Sequence, residues 1–122
     1  MLVEELSSGR AAGALEEPVA DRLDLPTVLA ALADPGRLAI VRALAVGEEC
    51  CNKVGELAGI TVGKSTLSHH MKVLRESGVT HTRAQGTHRY VSLRRAELDD
   101  AFPQLLDAIL GARSQTERPR SR

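Results

Sequence analysis

The sequence predicts a small, mainly α-helical domain that carries one β-hairpin. Two patterns indicate this: aliphatic residues recur at helical spacing along most of the chain, and the spacing changes to that of strands over residues 79–93. At 122 residues the chain has the length of a single domain. Tyr90 and Phe102 are the only aromatic residues. The core is therefore expected to be aliphatic, and a domain with so little ring volume often gains stability by forming oligomers.

A flexible arm and two amphipathic helices are predicted for the first part of the chain. Residues 1–23 mix Gly, Ala, Ser and Glu without clear periodicity, which is typical of a flexible or marginally helical arm. Pro26 suits the first turn of a helix, and Asp34 followed by Pro35 can cap a second helix, which Gly47 ends. The apolar stripes of these helices consist of Val28, Leu29 and Leu32 in the first and Leu38, Val41, Leu44 and Ala45 in the second.

A short helix, a tight turn and a longer helix are predicted next. The short helix covers residues 53–58, with Val54 and Leu57 directed inward, and residues 59–63 form the connection. The longer helix begins at Lys64 and ends at Gly78, because Gly is favoured just after a helix. Its apolar face consists of Leu67, Met71 and Leu74. Two helices joined by so few residues form a helix-turn-helix.

A hairpin and a last helix complete the predicted domain. Residues 79–84 and 87–93 are rich in Thr, Val and Tyr and flank Gln85-Gly86, which predicts a hairpin. The last helix carries Leu98, Phe102, Leu105, Leu106 and Ile109, and we expect Pro103 in its first turn because Pro breaks a helix interior. Residues 114–122 form a polar tail. Residues 24–113 are thus predicted to fold as about five helices and one hairpin, a winged helix-turn-helix.

Basic residues are concentrated in the predicted helix-turn-helix and hairpin. The chain has no net charge, yet residues 60–95 hold seven Lys and Arg against the single acid Glu76, together with all four His. Such a local excess of positive charge attracts polyanions. In a helix-turn-helix, the second helix enters the major groove of DNA and offers its first outward side chains to base edges. We therefore expect the chain to bind double-stranded DNA.

The candidate DNA contacts lie on the outward face of this second helix and on the hairpin. Small hydroxyl groups suit close approach to bases, and cationic side chains suit phosphates. The predicted base contacts are Ser65, Thr66, Ser68 and His69; the predicted phosphate contacts are Lys64, Lys72, Arg83 and Arg89, with Thr87 at the wing. Because neighbouring helical residues point about 100° apart, one of His69 and His70 should face DNA while the other packs inward.

Three stretches of the chain resemble the ArsR/SmtB-type winged-helix repressors. Residues 31–40 are similar to the second helix of that family, residues 65–79 to its recognition helix and residues 86–93 to its wing. The resemblance implies a homodimeric, cytoplasmic transcriptional repressor whose first and last helices form the dimer interface and which an effector releases from operator DNA. Two departures are Gly36, where the family often has Thr, and Gly63, where it usually has a Ser cap.

Cys50 and Cys51 are the candidate effector ligands. Adjacent thiols can chelate a soft, thiophilic ion such as arsenite, but two thiols cannot complete a three-thiolate site within one protomer. A disulfide between them would be strained, because neighbouring Cα atoms lie about 3.8 Å apart. The Asp and His site that some family members have on the last helix is not expected, because this last helix has no His. Three alternatives stay open: thiol sensing, packing of the thiols in the core, and an unrelated effector.

Other function classes fit the sequence less well. Residues 58–66 nearly spell a phosphate-binding P-loop, but no buried strand precedes them, and no catalytic constellation forms a recognisable motif, so an enzyme is not expected. A winged helix can also be a protein-interaction module without direct DNA binding, but such a module would tend to show apolar or acidic residues on its recognition face. The longest uncharged apolar run, residues 25–33, is too short to span a membrane. Adjacent cysteines suit a reducing, cytoplasmic setting.

Overall fold

The computed structural model describes residues 17–19 and 22–112, which form six α-helices and a three-stranded antiparallel sheet. Most of the predicted arm and the predicted tail lie outside these residues. The helices are α1 (Leu25–Leu32), α2 (Pro35–Leu44), α3 (Cys51–Ala58), α4 (Lys64–Ser77), α5 (Arg95–Ala101) and α6 (Leu105–Gly111), and the strands are β1 (Glu49–Cys50), β2 (Thr80–Gln85) and β3 (His88–Leu93). The predicted mainly α-helical fold with one hairpin is confirmed. None of the described helices is long and apolar enough to cross a membrane.

The second helix begins as the sequence predicts, at Asp34 followed by Pro35, whereas the first begins one residue before the predicted Pro26, at Leu25, and is capped by Asp24. The carboxylate of Asp24 accepts a hydrogen bond from the amide of Thr27 at 3.1 Å, and that of Asp34 accepts one from the amide of Arg37, also at 3.1 Å. Each bond satisfies an amide that has no partner within its own helix. Pro35 occupies the first position of α2, where a missing N–H costs nothing.

The core is aliphatic and draws on every helix. Its fully buried members are Val28, Ala31, Leu32, Ile40, Val41, Leu44, Val54, Leu74, Val79, Val91, Leu98 and Leu106. The prediction that Leu57 points inward is wrong, since this residue is 54% exposed. Leu29, a member of the predicted apolar stripe of the first helix, is 44% exposed. In α1 the buried side is formed by Val28, Ala31 and Leu32, and Leu29 projects away from it.

The wing is a hairpin to which a third strand is added. In the hairpin, Gln85 lies opposite His88 and Arg83 lies opposite Tyr90. Gly86, in the turn, has a φ of +63°, which an L side chain rarely adopts. The two-residue strand β1 pairs with the other side of β3, with Glu49 opposite Val91, so the strand order is β1-β3-β2. This third strand joins the wing to the segment that begins α3, and the sequence analysis did not predict it.

The C-terminal part forms two helices, and the prediction of one helix with Pro103 in its first turn is wrong. Pro103 lies in the break between α5 and α6. Phe102 before it has left the helical region, with φ −133° and ψ 80°, which agrees with the steric exclusion of the helical conformation before Pro. Gln104 after it has a φ of +70°. Leu98 of α5 and Leu106 of α6 lie on the two sides of the break, and both are buried in the core.

Candidate nucleic-acid interface

Helices α3 and α4 form the predicted helix-turn-helix. Helix α3 ends at Gly59, whose φ of +74° and ψ of 24° turn the chain away. The amide of Ile60 donates to the carbonyl of Gly55 at 3.2 Å, which satisfies a carbonyl of the last turn. Four residues later α4 begins at Lys64. The left-handed conformation at Gly59 therefore sets the direction in which α4 leaves the turn.

The two faces of α4 are separated as the sequence predicts. Leu74 is fully buried, and Leu67 and Met71 are partly buried against the core. On the opposite side the side chains are exposed; they belong to Lys64, Ser65, Thr66, Ser68, His69 and Lys72. The structure thus brings six of the nine candidate DNA contacts together on one helix surface, where binding does not compete with packing.

His69 and His70 divide as expected, with one outside and one inside. His69 is exposed, whereas His70 is only 9% exposed. The imidazole of His70 lies against Arg37 and Asp34 at the start of α2: Nδ1 is 3.3 Å from Nη1 of Arg37, and Nε2 is 3.6 Å from Oδ2 of Asp34. A buried polar side chain therefore links the recognition helix to the helices behind it.

A groove of about 400 Å³ lies between α4 and the wing. The eight described residues that line it are Cys51, Leu67, Ser68, Met71, Lys72, Arg75, Thr82 and Arg89. Three of them are cationic and none is acidic, so the groove attracts anions. Among these, Arg75 was not selected as a contact from the sequence, although it follows Lys72 by three residues on the same helix. Its Nε is buried and has no hydrogen-bond partner within the described structure.

The two candidate arginines of the wing lie on opposite faces of the sheet. Arg89 points into the groove and pairs with no carboxylate among the described residues. Arg83 instead makes a two-pronged ion pair with Glu48, with N–O distances of 2.9 Å, and its guanidinium lies 4.6 Å from the centre of the Tyr90 ring. The hydrogen bonds from Arg83 lower the pKa of the Glu48 carboxyl. Thr87, the remaining candidate, is exposed in the turn.

The two cysteines are free thiols, and both are half-buried. Cys50 ends β1, and Cys51 begins α3 and lines the groove. Burial, and then the neighbouring Cys50, raise the pKa of the Cys51 thiol, although Arg89 and Arg75 act in the opposite direction. The thiol is therefore not activated as a nucleophile. Across the described residues, no three His, Cys, Asp or Glu side chains are grouped so that they could hold a metal ion.

Comparisons with known proteins agree with this geometry. The model of the family described as "Bacterial regulatory protein, arsR family" matches residues 34–81, from the cap of α2 to the start of the wing. An uncharacterized HTH-type transcriptional regulator, YceK, of Bacillus subtilis (strain 168) is 42% identical over 84 residues, which cover 67% of this chain and 82% of that protein. The arsenical resistance operon repressor of Staphylococcus aureus is 37% identical over 82 residues, 67% of this chain and 77% of that one.

The solved structure of the transcriptional repressor BigR from Xylella fastidiosa superposes with a TM-score of 0.53. It is 28% identical and covers 83% of this chain and 97% of its own. The resemblance inferred from three short stretches of sequence is thus confirmed over the helix-turn-helix and the wing. This is a family of transcription regulators rather than enzymes, and the chain belongs to it: it is a member of the bacterial ArsR family of regulatory proteins.

Proposed function

We propose that this regulator is a dimeric repressor that binds operator DNA, with α4 in the major groove and the wing against the adjacent phosphate backbone. The observation that carries the proposal is the groove between α4 and the wing, which three cations line and no acid does. It adjoins a helix surface of small hydroxyl groups whose opposite face is buried. A phosphate backbone that follows the groove would place base edges against that surface.

The proposed contacts divide by chemistry. Ser65, Thr66, Ser68 and His69 read base edges, because short polar side chains near the start of the helix allow close approach. Lys64, Lys72 and Arg89 hold phosphates, with Thr87 at the tip of the wing, and the groove adds Arg75 to this set. Arg83 remains a phosphate ligand only if it releases Glu48. Its contribution is therefore expected to be smaller than that of Arg89.

The proposed dimer uses the first and last helices. The side of α1 that faces away from the core exposes Leu25 and Leu29, at 41% and 44%. In α6, Leu105, Ile109 and Leu110 are only partly buried. A second copy of the chain would cover these side chains and present two recognition helices to half-sites about 34–36 Å apart along the DNA.

The proposed effector site is the pair of adjacent thiols, Cys50 and Cys51, with arsenite as the probe. The relative from Staphylococcus aureus is a repressor of an arsenical resistance operon, and the pair lies at the start of α3, the helix that supports α4. Two thiols per chain leave the third arsenite ligand to come from elsewhere. A shift of α3 that changes the DNA affinity 5–150-fold requires a coupling of only about 1–3 kcal/mol. Such a repressor would act in the cytoplasm.

The test is fluorescence anisotropy of the protein on DNA from its own upstream region, against a shuffled duplex and with arsenite added. We expect the protein to bind the upstream DNA tightly and arsenite to abolish this binding. A Cys50→Ser/Cys51→Ser variant should bind the same DNA in the presence of arsenite. Specific binding that arsenite leaves unchanged would assign the thiols to packing. Equal binding to both duplexes would contradict the operator role and favour a protein-interaction module.

A matched pair of arginine variants tests the interface itself. The logarithm of the affinity falls linearly with the logarithm of the salt concentration, and losing one phosphate contact reduces the slope by about one. We expect this reduction for Arg89→Ala and a smaller one for Arg83→Ala, because Arg83 is paired with Glu48. Equal slopes for Arg89→Ala and the unmodified protein would remove Arg89 from the phosphate contacts.

A further inference from the structure

The guanidinium of Arg37 joins three helices. Its Nε donates to the carbonyl oxygen of Ala31 at 2.7 Å, and its Nη2 lies 3.5 Å from that of Ala30. Both carbonyls belong to the last turn of α1, where that of Ala30 also accepts from the amide of Ala33 at 3.3 Å. The third nitrogen, Nη1, lies 3.3 Å from Nδ1 of His70 on α4. One planar, rigid side chain on α2 therefore connects α1 to α4.

The arrangement of His70 determines which of its nitrogens carries the proton. Arg37 can only donate, so Nδ1 must accept and the proton of the neutral imidazole must lie on Nε2. That nitrogen is 3.6 Å from Oδ2 of Asp34, an acceptor. Asp34 in turn accepts from the amide of Arg37. The imidazole is thus held between a donor on one edge and an acceptor on the other.

Gly36 is the residue that makes room for this arrangement. A Cβ placed on Gly36 would lie 3.1 Å from Nε2 of His70 and 3.1 Å from Oδ2 of Asp34. Both distances are shorter than ordinary van der Waals contact, so a side chain here would require the imidazole and the carboxylate to move by a few tenths of an ångström. The sequence analysis noted Gly36 only as a departure from the family pattern. Its lack of a side chain allows α4 to approach α2 through His70.

We propose that Arg37 and His70 are positioning residues that set the orientation of the recognition helix and thereby its discrimination between DNA sequences. The proposal rests on the assignment of α4 as the recognition helix. His70 immediately follows His69, a proposed base contact, so the anchor and the reading surface lie on adjacent residues. Base contacts by short side chains require positions held to about 0.5 Å, whereas long Lys and Arg side chains can adjust to phosphates. Loosening the anchor should therefore reduce specific binding more than non-specific binding.

Three variants test the pair on an operator and a shuffled duplex of equal length. His70→Leu fills a similar volume without an acceptor, and we expect it to lower the ratio of operator to shuffled affinity about tenfold. His70→Asn restores most of the ratio, because its Oδ1 can accept where Nδ1 did. Arg37→Lys should resemble His70→Leu, since one ammonium cannot reach both Ala31 and residue 70. Because either substitution alone already breaks the contact between the two residues, the double variant should lose less than the sum of the two single losses.

The results that would overturn the proposal are specific. An unchanged ratio in His70→Leu, or a His70→Asn variant no better than His70→Leu, would reduce the pair to ordinary packing. Urea unfolding of each variant shows whether it folds. If His70→Leu does not fold, long-range ¹H–¹⁵N spectra of the unmodified protein at neutral pH decide, because a proton on Nδ1 contradicts the contact with Arg37. If the unmodified protein shows no operator preference, the operator assignment fails, and the spectra still test the contact.

Discussion

Helices α2 and α4 begin in similar backbone conformations but are capped differently. The residue before each helix is extended: Asp34 has φ −83° and ψ 132°, and Gly63 has φ −69° and ψ 167°. Asp34 places a carboxylate on the amide of Arg37, and Pro35 then removes one amide from those that need a partner. Gly63 makes no side-chain hydrogen bond, and Lys64, Ser65 and Thr66 follow it with their amides in place. We call the start of α2 the closed end, because a side chain caps it, and the start of α4 the open end, because no side chain caps it.

The difference in capping reflects what the start of each helix faces. The start of α2 lies near His70 of α4. The carboxylate of Asp34, which caps α2, therefore also contributes to the packing of α2 against α4. The start of α4 is exposed, with free amides and the positive end of the helix dipole directed outward. A phosphate group is a suitable partner for such an end. A capping side chain there would satisfy the same amides within the protein, so stability and DNA binding make opposing demands on residues 63–65.

The largest expected effect comes from closing the open end with a charge. Ser65→Asp places a carboxylate in the first turn of α4, which should stabilise the fold by about 0.3–1 kcal/mol through the helix dipole. In the proposed complex the start of α4 lies close to DNA phosphates, which repel the added charge even though the side chain of Ser65 itself is a proposed base contact. Since like charges brought together cost several kcal/mol, we expect the DNA affinity to fall at least about tenfold. Urea unfolding and anisotropy measure the two changes. The neutral variant Ser65→Asn is the control, and unchanged affinity in Ser65→Asp would mean that this end does not face phosphate.

Opening the closed end should have the next largest effect. Asp34→Ala removes the cap of α2 and the acceptor near His70, and we expect the free energy of unfolding to fall by about 1–2 kcal/mol. Asp24→Ala is the matched control, because Asp24 caps α1 in the same way but has no histidine partner among the described residues. The loss should be smaller for Asp24→Ala in urea unfolding. Equal losses would show that the contact with His70 contributes nothing to stability.

The parts of the fold that were predicted correctly depend on neighbours in sequence. Asp34-Pro35 specifies a helix start, and Gly86 specifies a turn, because the conformational preference lies in the residues themselves. The break at Pro103 was missed, since Pro is compatible with both a first turn and a break. In the folded chain Pro103 lies in a break between two helices, and Leu98 and Leu106, one on each helix, are both buried in the core.

The candidate site likewise has one part that local sequence predicts and another that only tertiary packing determines. The outward face of α4 could be predicted because helical periodicity alone separates it from Leu67, Met71 and Leu74. The faces of the wing could not, because the register of a hairpin decides which side each residue occupies. The ion pair between Arg83 and Glu48 spans 35 positions in sequence and lies beside β1, a strand of two residues that no local pattern indicates. Arg75 belongs to the outward face that the sequence predicts but was not selected as a contact, because only the wing, folded against α4, turns its surroundings into a groove.

The stability contributed by the cap of α2 should depend on pH, because this cap is the carboxylate of Asp34, whereas Gly63 before α4 carries no titrating group. The hydrogen bond from the amide of Arg37 is the main cause that lowers the pKa of Asp34 below 3.8, and the charge of Arg37 acts in the same direction. Because the pKa is lower in the folded state, the ionised carboxylate stabilises the fold fully above pH 3.8, and this stabilisation is lost as the pH falls through the folded-state pKa. The difference in unfolding free energy between the unmodified protein and Asp34→Asn should therefore shrink on acidification below pH 3.8. A constant difference would mean that the carboxylate charge is not what stabilises α2.

The smallest expected effect comes from closing the open end with a neutral cap. Gly63→Ser fits, because the residue is already extended and a Cβ there would meet no atom within 4 Å. Its hydroxyl oxygen can accept a hydrogen bond from an amide of the first turn. This should raise the free energy of unfolding by a few tenths of a kcal/mol, roughly the usual difference between Ser and Gly at this position.

Gly47→Ser is the control, since Gly47 is equally unobstructed but precedes no helix start. It therefore reports only the loss of backbone freedom in the unfolded chain. If Gly63→Ser is more stable than Gly47→Ser and binds DNA more weakly than the unmodified protein, the amides at the start of α4 are shared between cap and phosphate. Equal stabilities would mean that no cap forms, and unchanged binding would mean that DNA does not use these amides.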